Sequence, residues 1–116
     1  MEDSLFHYRA RIVDVYDGDT VTAEVDLGFR IQITEKFRLL GINTPEVRGE
    51  EREQGLVSRD ALRDKILGKD LFIETKRDKK GKYGRYLATL HLPEGDVLVN
   101  VNDWIVSEGL GVYHEY

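Results

Sequence analysis

Two short polar clusters, Asp17-Gly18-Asp19-Thr20 and Asn43-Thr44-Pro45-Glu46, stand at the ends of a stretch of alternating apolar residues, and Tyr83-Gly84-Arg85 follows further along. With Arg38 they supply carboxylates, an amide oxygen and two guanidinium groups. Gathered on a rigid β scaffold, such groups suit the hydrolysis of a phosphate ester with a divalent cation, because hard oxygens hold the ion and fixed cationic donors hold the phosphate. The chemistry requires that the strands carrying the two clusters lie side by side.

Taken singly, each cluster has a plainer reading. Asp17-Gly18 is foremost a turn signal. Asp19 lies past that turn and shares the parity of Val21 and Val25, which aims it toward the interior at a strand end. A carboxylate there costs free energy unless hydrogen bonds or a cation offset it. Asn43 and Thr44 could simply bond their own backbone before Pro45. Arg38, between Phe37 and Leu39, calls for an anionic partner, as an arginine in a half-buried strand generally does. Arg85 is either a hairpin residue facing water or part of the same anion site. Lys76, Arg77, Lys79, Lys80, Lys82 and Arg85 form a basic run. Such a run is ordinarily a solvated loop, but beside a metal-carboxylate site it could hold a polyanion.

The elements that must position these groups are legible from periodicity. Tyr8 to Tyr16 is rich in β-branched and aromatic residues and predicts a first strand. Thr20 to Leu27 alternates, with Val21, Ala23, Val25 and Leu27 on one face, and Arg30 to Ile42 continues the pattern through Ile31, Ile33, Phe37 and Leu39. The three form a meander, ended at Thr44-Pro45 because proline cannot donate to a ladder. Glu46 to Gln54 reads as a polar loop. Leu56 to Leu67 predicts a helix with Val57 and Ala61, and Leu62 and Ile66, spaced four apart, stopping at Gly68. Leu71 to Lys76 and Tyr86 to Leu92 predict two more strands, followed by a short apolar run from Val97 to Val99. A last helix from Val101 to Glu108 is expected to bury Trp104 and Ile105. Three strands, a helix, two strands and a helix is the order of a mainly β, α+β protein: a five-stranded OB-fold barrel with two packed helices.

Bulk properties bound the rest. The chain has 116 residues, which predicts a single domain over residues 1–116. It is 41% hydrophobic and 34% charged, with no cysteine, so neither a disulfide framework nor a thiolate metal site is available. A net charge of -5 argues against a generic nucleic-acid binder with a broad basic face. No segment is apolar over a bilayer-spanning length, so no membrane association is expected, and no obligate protein partner is evident. The N-terminal residues lack a secretory pattern, and localisation stays open.

Asp17-Gly18-Asp19-Thr20, Phe37-Arg38-Leu39-Leu40 with Thr44-Pro45-Glu46, and Lys82-Tyr83-Gly84-Arg85 together resemble the three signature segments of the staphylococcal nuclease (thermonuclease) family, in the same order. Asn102 to Leu110 is similar to that family's later helix. The resemblance runs from about Tyr8 to Leu110. It implies an OB-fold and calcium-dependent hydrolysis of phosphodiesters in DNA or RNA, on single-stranded or flexible substrates. It further implies that Asp19 and the Thr44 carbonyl are Ca2+ ligands, and that Glu46 orients or activates the attacking water. By the same likeness Arg38 and Arg85 hold the scissile phosphate, and Lys82, Tyr83 and either Tyr113 or Tyr116 contact the nucleotide. One departure is Asn43, which stands where the family has a second metal carboxylate. Its amide oxygen can still ligate, but with one charge fewer, so weak calcium binding is expected. The competing reading is a catalytically weak module on the same barrel that binds nucleic acid or protein; the plainest is a barrel whose polar clusters are only turns.

Overall fold

The computed structural model describes residues 6–78 and 85–115. In chain order it contains β1 (His7–Asp17), β2 (Thr20–Asp26), β3 (Gln32–Leu39), β4 (Ile42–Asn43), α1 (Arg52–Ile66), β5 (Asp70–Asp78), β6 (Arg85–Glu94), β7 (Val97–Asn100), α2 (Val101–Ser107) and β8 (Val112–Tyr113). β1, β2 and β3 form the antiparallel meander expected from their alternation, β5 joins the free side of β1, and β6 joins β5. β6 then pairs parallel to β3 through Phe37–Tyr86, Arg38–Leu87 and Leu39–Ala88, closing a five-stranded barrel with the α+β, OB-type arrangement. Register shifts in β1, between Ile12 and Asp14 and between Val15 and Asp17, let that strand bend around the closed sheet.

The inward parity fills the interior. Ile12, Val21, Ala23, Leu39, Ile73 and Leu90 are wholly buried, and Leu62 and Ile66 of α1 and Ile105 of α2 seal the barrel. Asn102 ties α2 to the strands: its amide donates to the carbonyls of Leu40 and Ala88, each at 3.0 Å, and accepts from Leu90 N–H at 3.1 Å. No helix among the described residues is long and apolar enough to cross a membrane.

Several expected boundaries shift. α1 begins at Arg52, after a 3-10 turn over Gly49–Glu51, so part of the anticipated Glu46–Gln54 loop is helical. Its first turn is exposed and therefore polar, which removes the apolar signal without removing the helix. Val57 faces water, whereas Leu62 and Ile66 carry the packing. The strand expected over Arg30–Ile42 is two pieces, β3 and the two-residue β4. Ile31, Ile33 and Leu27 keep the inward parity but are exposed because they run to the barrel's open end. Trp104 is only half-buried, with the Lys65 ammonium 4.9 Å above its ring. β7 is an added strand on β6 whose Val97 and Leu98 are exposed.

Helix α1 passes so close to the Thr44–Glu46 segment that a Cβ on Gly55 would overlap the Glu46 carbonyl group. Alanine normally outperforms glycine in a helix interior by about 1 kcal/mol. Here backbone stands where the methyl would go, so the clash outweighs the propensity. Gly55→Ala is expected to cost about 2 kcal/mol or more and to lower the melting temperature by about 8 °C or more. A thermal scan giving an unchanged or higher midpoint would refute this packing argument.

Candidate active site

The turn between β1 and β2 and the end of β3 meet because Thr20 pairs with Arg38 and because Leu39 N–H donates to the Asp19 carbonyl at 2.8 Å. Asp17 and Asp19 are 7% and 6% exposed. Asp17 Oδ1 accepts from Asp19 N–H at 3.0 Å, the local bond that shapes the turn. Asp19 then reaches across to the second cluster. Its Oδ2 accepts from Thr44 N–H at 2.9 Å and pairs with an Arg38 Nη1 at 2.6 Å, while Oδ1 accepts from the Thr20 hydroxyl at 3.3 Å. Arg38 Nη2 donates to Asn43 Oδ1 at 3.0 Å. Asp19, Arg38, Asn43 and Thr44 are thereby one hydrogen-bonded unit at the barrel end, as expected of two clusters meeting in space, and Arg38 turns toward the acidic side chains.

Burial pushes the Asp17 carboxyl up to about 6 from its ordinary 3.8, with the Asp19 side chain as the next cause. Raised in the folded form, Asp17 favours folding as the pH falls through about 6 and disfavours it at neutral pH, where its buried charge is kept at a cost.

Glu46 lies on the far side of Pro45. Asn43, Thr44, Glu46, Glu51, Gly111 and Val112 are among the residues lining one pocket of about 280 Å³, where Thr44 is buried and Asn43 and Glu46 are exposed. A Cβ on Gly111 would stand 2.8 Å from both the Asn43 carbonyl oxygen and Thr44 Cγ2, and one on Gly18 would stand 2.8 Å from Thr44 Oγ1. Both glycines therefore permit the close approach that fixes this segment. Thr44 Oγ1, buried against Gly18, has no hydrogen-bond partner among the described residues.

β8 lies on β4, with Tyr113 opposite Ile42 and Val112 opposite Asn43, so Tyr113 sits one rung from Asn43. Its hydroxyl donates to Asp103 Oδ1 at 3.1 Å, and that bond raises its pKa. Arg85 opens β6, and its strand runs alongside β3 with Leu87 opposite Arg38. The backbone thus puts Arg85 two residues from the rung of Arg38; its side chain, together with Lys82, Tyr83 and Tyr116, lies outside the described residues.

Four contributors are hard to read from sequence. Asp17 resembles an ordinary turn residue, although its place beside Asp19 was a signal. Ser58, 3% exposed, donates to the Leu110 carbonyl at 2.7 Å and so fastens the C-terminal segment over Thr44, with no sequence cue. Gly55 and Gly111 act through what they lack. The atoms of the unit able to ligate a metal, those of Asp19, the Asn43 amide and the Thr44 carbonyl, are oxygens, the class that holds a hard cation. Among the described residues no three His, Cys, Asp or Glu side chains converge as a metal cage, and Arg38 bonds both Asp19 Oδ2 and Asn43 Oδ1.

Residues 36–116 match the family model described as staphylococcal nuclease homologue, a match that takes in Arg38, the Asn43–Glu46 segment and both strands of the second hairpin. An uncharacterized protein of Methanocaldococcus jannaschii is 29% identical over 128 aligned positions, covering 92% of this chain. The chain spans 59% of that relative's length. With the matched region exceeding half of the sequence, this chain belongs to the staphylococcal nuclease homologue family.

Proposed function

We propose that the protein is a calcium-dependent nuclease that hydrolyses phosphodiester bonds in single-stranded or flexible DNA or RNA. The observation that supports this most directly is the posture of Arg38, whose guanidinium is fixed from two sides by Asp19 and Asn43 at the barrel end. An arginine held in that way presents its remaining N–H groups without having to reorganise, and such donors count most where charge builds in a transition state.

In this reading Arg38 and Arg85 bind the non-bridging oxygens of the scissile phosphate. Glu46 takes a proton from the attacking water as its oxygen bonds to phosphorus, and the ester oxygen departs. Lys82, Tyr83 and Tyr113 contact the nucleotide, the rings by stacking. Asp19, the Asn43 amide oxygen and the Thr44 carbonyl would hold Ca2+, which when bound supplies positive charge opposite the phosphate oxygens. The all-oxygen donors fit that ion. With one formal negative charge among the three, and with Arg38 sharing two of the oxygens, the affinity is low.

Single-stranded DNA is expected to be cut at millimolar calcium and spared in chelator. Cleavage that survives chelator would remove the metal from the reading, and no cleavage at high calcium would leave a nucleic-acid-binding module in its place. Glu46→Gln should lower kcat by about 100-fold or more while KM moves little; steady-state kinetics with turnover intact would strip Glu46 of its role. Asn43→Asp should tighten calcium binding by about tenfold, read by calorimetry without substrate. Equal affinities would put Asn43 outside the ion's ligands.

A further inference from the structure

Next to Arg38, the outer face of the barrel carries an arrangement that the hydrolytic reading leaves unused. Tyr16, at the β1 register shift beside Asp17, is 41% exposed. The Lys36 ammonium lies 5.8 Å from the centre of its ring, and Arg48, two residues past Glu46, donates to its hydroxyl at 2.8 Å. Three other surface cations meet carboxylates: Arg11 with Asp70 at 2.9 Å, Arg59 with Asp60 at 3.0 Å and Lys65 with Glu94 at 2.6 Å. Lys36 and Arg48 have no carboxylate at ion-pair distance among the described residues. In a chain of net charge -5, two cations without carboxylate partners converge on one exposed aromatic ring.

The position adds direction. Lys36 and Arg38 are two apart on β3, so their side chains leave the same face of the sheet about 7 Å apart. Arg48 belongs to the segment that leads from Glu46 into α1. The ring and its cations therefore adjoin the Arg38 unit on the outer face, on the route a chain would follow if one of its phosphates were held at Arg38. An aromatic face flanked by cations is the general means of holding an unpaired nucleotide, the ring taking the base and the cations the backbone.

We propose that Tyr16, Lys36 and Arg48 form a subsite for a neighbouring nucleotide of a single-stranded polynucleotide, adjoining the phosphate held at Arg38. The proposal rests on the reading of Arg38 as a phosphate-binding group. Tyr16 stacks on the base, and Lys36 and Arg48 hold the phosphates on either side. A paired base in a duplex does not expose the face that the ring needs, so the subsite selects single strands.

The test is fluorescence anisotropy with labelled oligothymidylate and oligouridylate of roughly ten nucleotides, in chelator so that no turnover occurs. The double variant Lys36→Gln/Arg48→Gln is expected to bind about tenfold more weakly and to lose about 1.4 from the slope of log affinity against log salt, two phosphate contacts' worth. Tyr16→Leu should weaken binding by about tenfold, whereas Tyr16→Phe, which keeps the ring and loses the bond from Arg48, should stay within about threefold of the parent. Circular-dichroism melting confirms that each variant is folded. A loss confined to one oligonucleotide supports the subsite and shows which of the two it takes. The proposal falls if the double variant keeps its affinity and salt slope, if the parent binds neither oligonucleotide or binds a duplex of equal length as well, or if Tyr16→Phe fails as badly as Tyr16→Leu, which makes the contact a loop fastening. Because hydrolysis is not measured, an absence of calcium-dependent cleavage would sink the nuclease reading while leaving this result standing.

Discussion

The contact between Asp19 and Arg38 is the point at which the barrel and its chemistry become the same problem. Asp19 is 6% exposed and Arg38's side chain 14%, so both charges have left most of their water. Removing ions from water costs several kcal/mol each, and their mutual attraction returns it only with close geometry and further hydrogen bonds. Both conditions are met: the pair is at 2.6 Å, Thr44 N–H and the Thr20 hydroxyl serve the carboxylate, and Asn43 serves the guanidinium. A buried pair is nonetheless a poor source of stability compared with apolar residues of the same volume. Its value lies in orientation, since the pair fixes where the remaining Arg38 donors point.

That geometry depends on strand register. Thr20 opposite Arg38 brings the turn carboxylate to the arginine, and Phe37 and Leu39 on the alternate parity go into the core. A slip of one residue would exchange those faces, burying Arg38 and exposing the two apolar side chains, so the hydrophobic core enforces the site's alignment. The parallel pairing of β3 with β6 adds the second hairpin to the same end of the barrel, and Asn102 locks that closure by satisfying backbone groups of Leu40, Ala88 and Leu90. The Asn43–Glu46 segment is then held by close approach, with Gly18, Gly55 and Gly111 each removing a side chain that would have kept a neighbour away.

The alternation in Thr20–Leu27 was legible because one face of β2 is buried and the other is not, and the same contrast announced Asp19 as an inward carboxylate. Arg38 was legible for the converse reason, a charge between two core residues. The start of α1 was not, because its first turn touches nothing apolar, and the break between β3 and β4 hides in a continuous apolar run. The roles of Ser58, Gly55 and Gly111 arise from tertiary approach between segments far apart in sequence, which no local pattern encodes. The family likeness is carried by short polar motifs whose meaning comes from being brought together, and Arg38, Asn43 and Thr44 are brought together here around Asp19.

Asn43 changes the electrostatics of that unit in a way that bears on the surrounding surface. Asp19 and Arg38 oppose one another and Asn43 contributes no charge, so the hydrogen-bonded unit adds little net charge of its own, and the neighbouring Asp17, raised to about 6 by burial, still carries its charge at neutral pH. Such a unit has little long-range pull on a phosphate. Attraction of a polyanion to an acidic chain must then come from cations that are not already paired, and short-range placement near the site matters more than the total. Lys36 and Arg48 meet that requirement on the outer face, within reach of Arg38 and without carboxylate partners among the described residues. The division is physical: the inner groups are matched to one another and held in place, and the outer ones are without carboxylate partners and solvated, as the proposed subsite requires.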